Sequence, residues 1–154
     1  MRILTVRQPW AWAIIHGGKD VENRVRNIAG SYRGPVAIHV AQADADGAPE
    51  SAWKAQADFY RERAMPIRQP VRFIPGFFDR GMIIGVVDLT AAHITCPPTY
   101  DPERGLCSTW AQRDHWHLHL SNPRALSDPI PYKGALGLRA LDADTISHIE
   151  AAIA

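Results

Sequence analysis

The sequence predicts an α+β fold, a mixed β-barrel with flanking helices, and three observations carry that expectation. Strand-like runs recur at irregular spacing instead of alternating with helices as βαβ units require. Helix-like runs fall near the start, in the middle and at the end. The strongest strand, Gly81-Met-Ile-Ile-Gly-Val-Val-Asp-Leu-Thr90, carries two glycines where a curved barrel strand can bend. A nucleotide-binding α/β sheet is excluded, because Gly17-Gly18-Lys19 lacks the preceding strand and the spacing of a phosphate loop.

Taken in order, Ile3 to Val6 alternates apolar and polar and reads as a first strand that ends at Gln8-Pro9. Pro9 suits a first helical turn. The nearly continuous apolar run Trp10 to His16 then forms a short buried helix, stopped by Gly17-Gly18. Lys19 to Arg24 is mostly polar, so a strand there would face a cleft or solvent. Ser31 to Pro35 makes a turn, and Val36 to Ala41 a buried strand. Pro49 to Met65 has an amphipathic helical pattern, with Trp53, Ala57, Tyr60 and Ala64 spaced three and four apart and the cluster Asp58, Arg61, Glu62 and Arg63 on a solvated face.

Pro66, Pro70 and Pro75 forbid regular structure until Gly81, so that connection is a long loop. Pro97 to Gly105 is a second loop. His115-Trp-His-Leu-His-Leu120 alternates strictly, placing His115, His117 and His119 on one face and Trp116, Leu118 and Leu120 on the other. Pro123 to Pro131 reads as a connection, Gly134 to Leu141 as a last strand, and Asp142 to Ala154 as a helix capped by an aspartate.

The 154 residues and 46% hydrophobic content suit one domain over 1–154 with a single sizeable core. Lys plus Arg (17) nearly balances Asp plus Glu (16), so the overall charge draws in neither a polyanion nor a membrane and any nucleic-acid site must be local. No apolar stretch approaches membrane-spanning length, which leads to the expectation of a soluble cytoplasmic protein. Cys96 and Cys107 show no CxxC spacing and read as ordinary reduced thiols. Alternate residues on one strand face lie about 7 Å apart, too far for three imidazoles to share an ion. The histidine stripe is therefore expected on the barrel surface, and no metal ligand is assigned.

Chemistry concentrates near Lys19. On a regular strand Glu22 and Arg24 share a face and Lys19 projects from the other; a turn after Gly18 would instead let all three converge on one pocket. There the cations would hold phosphate or base oxygens, and Glu22 would accept from a base amino group. The alternative is a solvated, salt-bridging strand. Trp10 and Trp12, two apart on a helix, cannot both face the core, and Trp10 beside Pro9 is the one placed either to stack on a base or to staple the helix to the barrel. Arg33 and Lys133 precede Gly34 and Gly134, where each reads equally as a phosphate contact or a plain surface cation.

Leu4-Thr-Val-Arg-Gln-Pro-Trp10, Gly18-Lys-Asp-Val-Glu-Asn-Arg24 and Arg33-Gly-Pro-Val-Ala-Ile-His39, in that order and spacing, resemble the opening of the ASCH family. The resemblance continues through Gly85-Val-Val-Asp-Leu89, Ser108-Thr-Trp-Ala111 ahead of His115-Trp116, and Pro131-Tyr-Lys-Gly134, and so covers nearly the whole chain. It implies a PUA-like β-barrel with flanking helices and a cleft between the barrel and the early helix. The motif residues at that cleft would be Gln8, Trp10, Lys19, Glu22, Arg24, Arg33 and Lys133. RNA, another single-stranded nucleic acid or one modified nucleotide is the implied partner.

Catalytic relatives in this family hydrolyse acetylated cytidine with a lysine, a threonine nucleophile three residues later and a glutamate further along. Lys19 matches the lysine, but Glu22 stands at the threonine position, and a carboxylate does not simply replace that hydroxyl. The chain is closer to the coactivator-type members, which are associated with nucleic-acid binding. The leading expectation is a binding module. The alternative is a nucleoside amidohydrolase or a ribonuclease with Lys19 and Glu22 as catalytic groups, Mg²⁺ being required only in the ribonuclease case. A third reading, a protein-interaction adaptor, would place the function in the Pro66 to Pro75 loop.

Overall fold

The computed structural model describes residues 1–63, 79–96 and 105–153, so the Pro66 to Pro75 loop lies outside the described residues, as do Ala64, Met65 and positions 97–104. The strands are β1 (Arg2–Val6), β2 (Val21–Arg24), β3 (Gly34–Val40), β4 (Met82–His93), β5 (Trp116–Pro131) and β6 (Leu138–Ala140). The helices are α1 (Trp10–His16), α2 (Glu50–Arg63) and α3 (Ala143–Ala152). Among the described residues the strands form one six-stranded sheet in the order β2-β5-β4-β3-β1-β6, with β1 and β3 parallel and the other pairs antiparallel. The sheet is rolled, because Arg24 of the edge strand β2 donates from Nη2 to the Thr5 carbonyl of β1 at 2.9 Å, although β5, β4 and β3 lie between them in the ladder. This six-stranded half-barrel, with three helices among the described residues, is the α+β fold expected as a mixed β-barrel with flanking helices.

Both faces of the sheet are covered, which explains why Val36 to Val40 is buried residue after residue instead of alternating. On the inner face Leu4, Val6, Ile38, Val87 and Leu118 pack against Ala11, Ile14 and Ile15 of α1. On the outer face Ile3, Ala37, Ile83 and Val86 pack against Ile149 of α3. Helix α3 begins where Asp142 accepts from the Thr145 N–H at 2.8 Å, the aspartate cap read from the sequence.

Gly85 lies where α1 presses closest to β4. A Cβ there would sit 2.6 Å from Ile15 Cδ1 and 2.7 Å from the Arg124 carbonyl oxygen. The isoleucine can yield, but the backbone of β5 cannot. Gly85→Ala is therefore expected to destabilise the fold by on the order of 1–3 kcal/mol, the usual cost of overpacking. Urea unfolding would register it, and an unchanged midpoint would contradict the close approach.

Two elements differ from expectation. The segment Pro123 to Pro131 is not a connection; β5 runs through it and pairs with β4 as far as Met82↔Pro131. Its prolines are tolerated because the ladder shifts register between Ile83 and Gly85 and between Val86 and Asp88, opposite Pro129 and Pro123 respectively. Conversely, the last strand is only Leu138–Ala140, since residues 134–137 turn away with Gly137 at φ 76°. That freed segment becomes one wall of the cleft described next.

Candidate functional site

Helix α1 ends at Gly17, and Gly18, at φ 71°, turns the chain so that the Lys19 N–H returns to the Ala13 carbonyl at 2.9 Å. β2 starts only at Val21. Lys19 thus precedes the strand, and strict alternation does not govern it. Glu22 and Arg24 share a face as the period of two requires, and the turn brings Lys19 to them. Glu22 Oε2 lies 3.4 Å from Lys19 Nζ and Oε1 lies 3.2 Å from Arg24 Nη2. Lys19 also donates to the Val21 carbonyl, which anchors the ammonium within the turn.

This trio is not a solvated salt-bridging strand, because Lys19 is 5% and Glu22 8% exposed. Burial is the largest influence on Lys19 and lowers its pKa below the ordinary lysine range, against the opposing charge and hydrogen bond of Glu22. The ammonium also lies 5.9 and 5.7 Å from the ring centroids of Trp10 and Trp110, which meet edge to face at 6.2 Å.

In front of the trio opens a cleft of about 930 Å³, lined by Trp10, Glu22, Arg24, His39, His115 and the 132–137 segment, among others. Trp10 is partly exposed in its wall while Trp12 is buried, so the two tryptophans divide as helical spacing demands. Lys133 stands exposed on the rim, and among the described residues it makes no hydrogen bond or ion pair. Arg7, also in the lining, is neutralised by Asp46 at 3.0 Å. In the lining Arg24 pairs with Glu22 and Arg7 with Asp46, so among the described residues the unpaired Lys133 is the one surplus charge there, and it is positive.

Three expected site residues do not line the cleft. Lys19 lies behind Glu22, buried, and reaches the cleft only through its pairing with that carboxylate. Gln8 is fully buried, and its Oε1 accepts from the Trp12 N–H at 3.0 Å, which satisfies a donor in the first turn of α1 that Pro9 leaves uncapped. Arg33 is exposed away from the cleft and donates to the Gly30 and Tyr32 carbonyls. Its role is to close a turn.

Other cleft residues were not singled out from the sequence. His39 is 2% exposed, and its Nε2 lies 3.0 Å from the Tyr132 carbonyl, tying β3 to the wall that carries Lys133. Gly134 permits that approach, because a Cβ there would meet His39 Cε1 at 2.5 Å and Thr5 Oγ1 at 3.0 Å. His115 was expected in the histidine stripe, but the left-handed turn at Asp114 (φ 61°) precedes the strand and delivers His115 to the cleft. The other two stripe members are on the outer face but not on the surface. His117 is 1% exposed because the 105–112 segment folds over it, and His119 is half-buried beside His93. The surface stripe is thus corrected.

Burial lowers the pKa of His39, with the Tyr132 carbonyl bond opposing, and holds His16 at about 4, with the Arg63 charge adding to it. Both rings are neutral in the folded chain at pH 7, whereas unfolding restores an ordinary histidine value near 6.5. The unfolded state therefore takes up protons first on acidification, and stability is lost as pH falls from about 6.5 towards the His16 value of about 4. Denaturant midpoints should drop between pH 7.5 and pH 5, and the drop should shrink in His16→Asn; equal slopes in both chains would contradict it.

The ASCH domain family matches this chain over residues 4–123, well over half its length. The chain belongs to the ASCH family. Crystal structures of two variants of ZmASCH from Zymomonas mobilis have a similar fold. A serine-to-alanine variant is 14% identical, with a TM-score of 0.56 over 99% of this chain and 96% of that one. A tyrosine-to-phenylalanine variant is 13% identical, with a TM-score of 0.55 over 99% and 98% respectively. At that identity the likeness is one of fold, and it is to the α+β half-barrel described above.

Proposed function

We propose that this ASCH domain binds nucleic acid, taking one nucleotide of single-stranded RNA, plain or modified, into the cleft between the half-barrel and α1. The observation that carries this reading is the convergence of Lys19, Glu22 and Arg24 beneath an indole wall, with an unpaired lysine on the rim. The cleft volume of about 930 Å³ is at the upper end of the range for small-ligand sites and admits a nucleotide with its flanking phosphate. Trp10 offers a stacking surface, which tolerates any base because every base has a π-face. Glu22, held in place by its two cations, accepts from an exocyclic amino group, and Arg24 and Lys133 meet base or phosphate oxygens.

Affinity for a short single-stranded oligoribonucleotide, measured between low and moderate salt, tests the reading. It should fall linearly in the logarithm of salt, with a slope of about −0.7 for each phosphate contacted. A flat salt response would overturn it.

One observation favours a second reading, hydrolysis of a modified nucleoside: a lysine of lowered pKa lies 3.4 Å from a nearly buried carboxylate. In that case Glu22 activates water and Lys19 stabilises developing negative charge. Incubation with acetylated cytidine decides it, since turnover abolished by Glu22→Gln is required and absence of turnover removes the reading. Cleavage of RNA with and without Mg²⁺ tests the ribonuclease form in the same way.

A further inference from the structure

Behind the cleft, on the outer face of β5, four soft or borderline donors meet. His93 ends β4, Cys96 follows it, Cys107 lies on the 105–112 segment and His117 is near the start of β5. One ligand atom from each lies within 4.8 Å of every other. Cys96 Sγ and Cys107 Sγ stand 3.2 and 3.3 Å from His117 Nδ1. A tetrahedral zinc ion with bonds of about 2.3 Å to sulfur and 2.0–2.1 Å to nitrogen has S···N edges of about 3.5 Å, close to this spacing.

We propose that His93, Cys96, Cys107 and His117 form a Cys₂His₂ site for a tetrahedral divalent cation of zinc type. The second nitrogen of His117 supports this reading independently. Nε2 lies 2.7 Å from the Gln112 carbonyl and can only donate to it, which fixes the tautomer and leaves the Nδ1 lone pair directed at both thiols. His119, with Nε2 3.4 Å from His93 Nε2, is placed to orient the other imidazole. His117 and Cys107 are buried, as a closed structural site requires, and four protein donors leave no open position for substrate. On binding, the two thiols lose their protons to solvent and the thiolates coordinate the ion.

Such a site has a definite role here, because the segment it would staple forms a wall behind Lys19. Asn23 of β2 donates to the Trp110 carbonyl at 2.8 Å and accepts from the Gln112 N–H at 2.9 Å. Ser108 donates to Asp20. Val21, Leu106, Cys107 and Ala111 make a cluster too small to be a core of its own, with Cys96 and Trp110 against it. The ion would fix that cluster to the ends of β4 and β5, and so hold Trp110 in place beside Lys19.

The full chain, purified under reducing conditions without added metal, should carry zinc stoichiometrically by elemental mass spectrometry. Exchange for Co²⁺ should give the intense visible bands and sulfur-to-cobalt charge-transfer absorption of a tetrahedral thiolate site. Cys96→Ser, at a partly buried position, and Cys107→Ser should each weaken Co²⁺ binding by more than the roughly 10–100-fold that loss of an outer partner costs. Circular dichroism confirms that each variant has folded. The proposal is overturned by a metal-free protein that gives only a weak octahedral cobalt spectrum, by a Cys96–Cys107 disulfide in the reduced preparation, or by unchanged cobalt affinity in folded Cys96→Ser.

Discussion

Replacing Lys19 with methionine is expected to destabilise the fold by about 3–5 kcal/mol, the range for removing one partner of a buried ion pair. Methionine keeps the length and apolar stem of the side chain, so the loss isolates the charge. Lys19 and Glu22 are both nearly inaccessible, and without the ammonium Glu22 retains only Arg24 while the Val21 carbonyl loses its donor. Adding Glu22→Leu should recover part of the loss, because the buried carboxylate leaves with its partner while Arg24, partly exposed, keeps the Thr5 carbonyl. Urea unfolding of the two single variants and the double variant gives the coupling directly. If Lys19→Met alone stayed within 1 kcal/mol of the parent chain, the pair would not have the importance the geometry gives it.

Trp10→Ala is expected to weaken binding of short single-stranded RNA by between about fivefold and 150-fold, the equivalent of the roughly 1–3 kcal/mol that a base gains by stacking on an aromatic ring. The indole is partly exposed in the cleft wall, and its removal leaves Lys19 and Trp110 without their neighbour. Lys133→Ala should have a different signature: a smaller loss that vanishes at high salt, with the salt slope reduced by about 0.7 for the one phosphate given up. Arg33→Ala serves as the control. Its guanidinium closes a turn through the Gly30 and Tyr32 carbonyls, so affinity should not change. Isothermal titration at two salt concentrations separates the three variants, and equal losses in all of them would indicate nonspecific binding to cationic surface.

The legible parts of this fold are those that depend on local pattern. The apolar run Trp10 to His16, stopped by paired glycines, gives α1 with the expected bounds. Asp142 caps α3 as read. The expected bounds differ where tertiary pairing overrides local chemistry. Proline-bounded 123–131 remains strand because its register shifts let β5 bulge opposite β4, and no one-dimensional pattern contains a register. Gly134 to Leu141 shortens to β6 because Gly137 turns the chain with a positive φ.

The site divides in the same way. Glu22 and Arg24 share a face by alternation, but the arrival of Lys19 depends on the left-handed turn at Gly18, one of two geometries the spacing allowed. Gln8 and Arg33 were expected in the cleft yet serve the backbone, a role that residue type alone does not reveal. His39 was hidden by its place in an apolar strand. His93, Cys96, Cys107 and His117 were hidden because their donors come from separate elements, with none of the paired spacing that marks a metal site in a linear sequence.

The most direct test of the central claim, that the cleft in front of Lys19, Glu22 and Arg24 receives a nucleotide, is a chemical-shift map of the isotope-labelled chain titrated with a short single-stranded oligoribonucleotide. The account predicts that the largest perturbations fall on the Trp10 indole N–H, on the Arg24 side chain and on the amides of residues 132–137, and that they weaken together in Lys133→Ala. Perturbations confined to the outer face around α3, or to α2, with the cleft resonances unmoved, would contradict it.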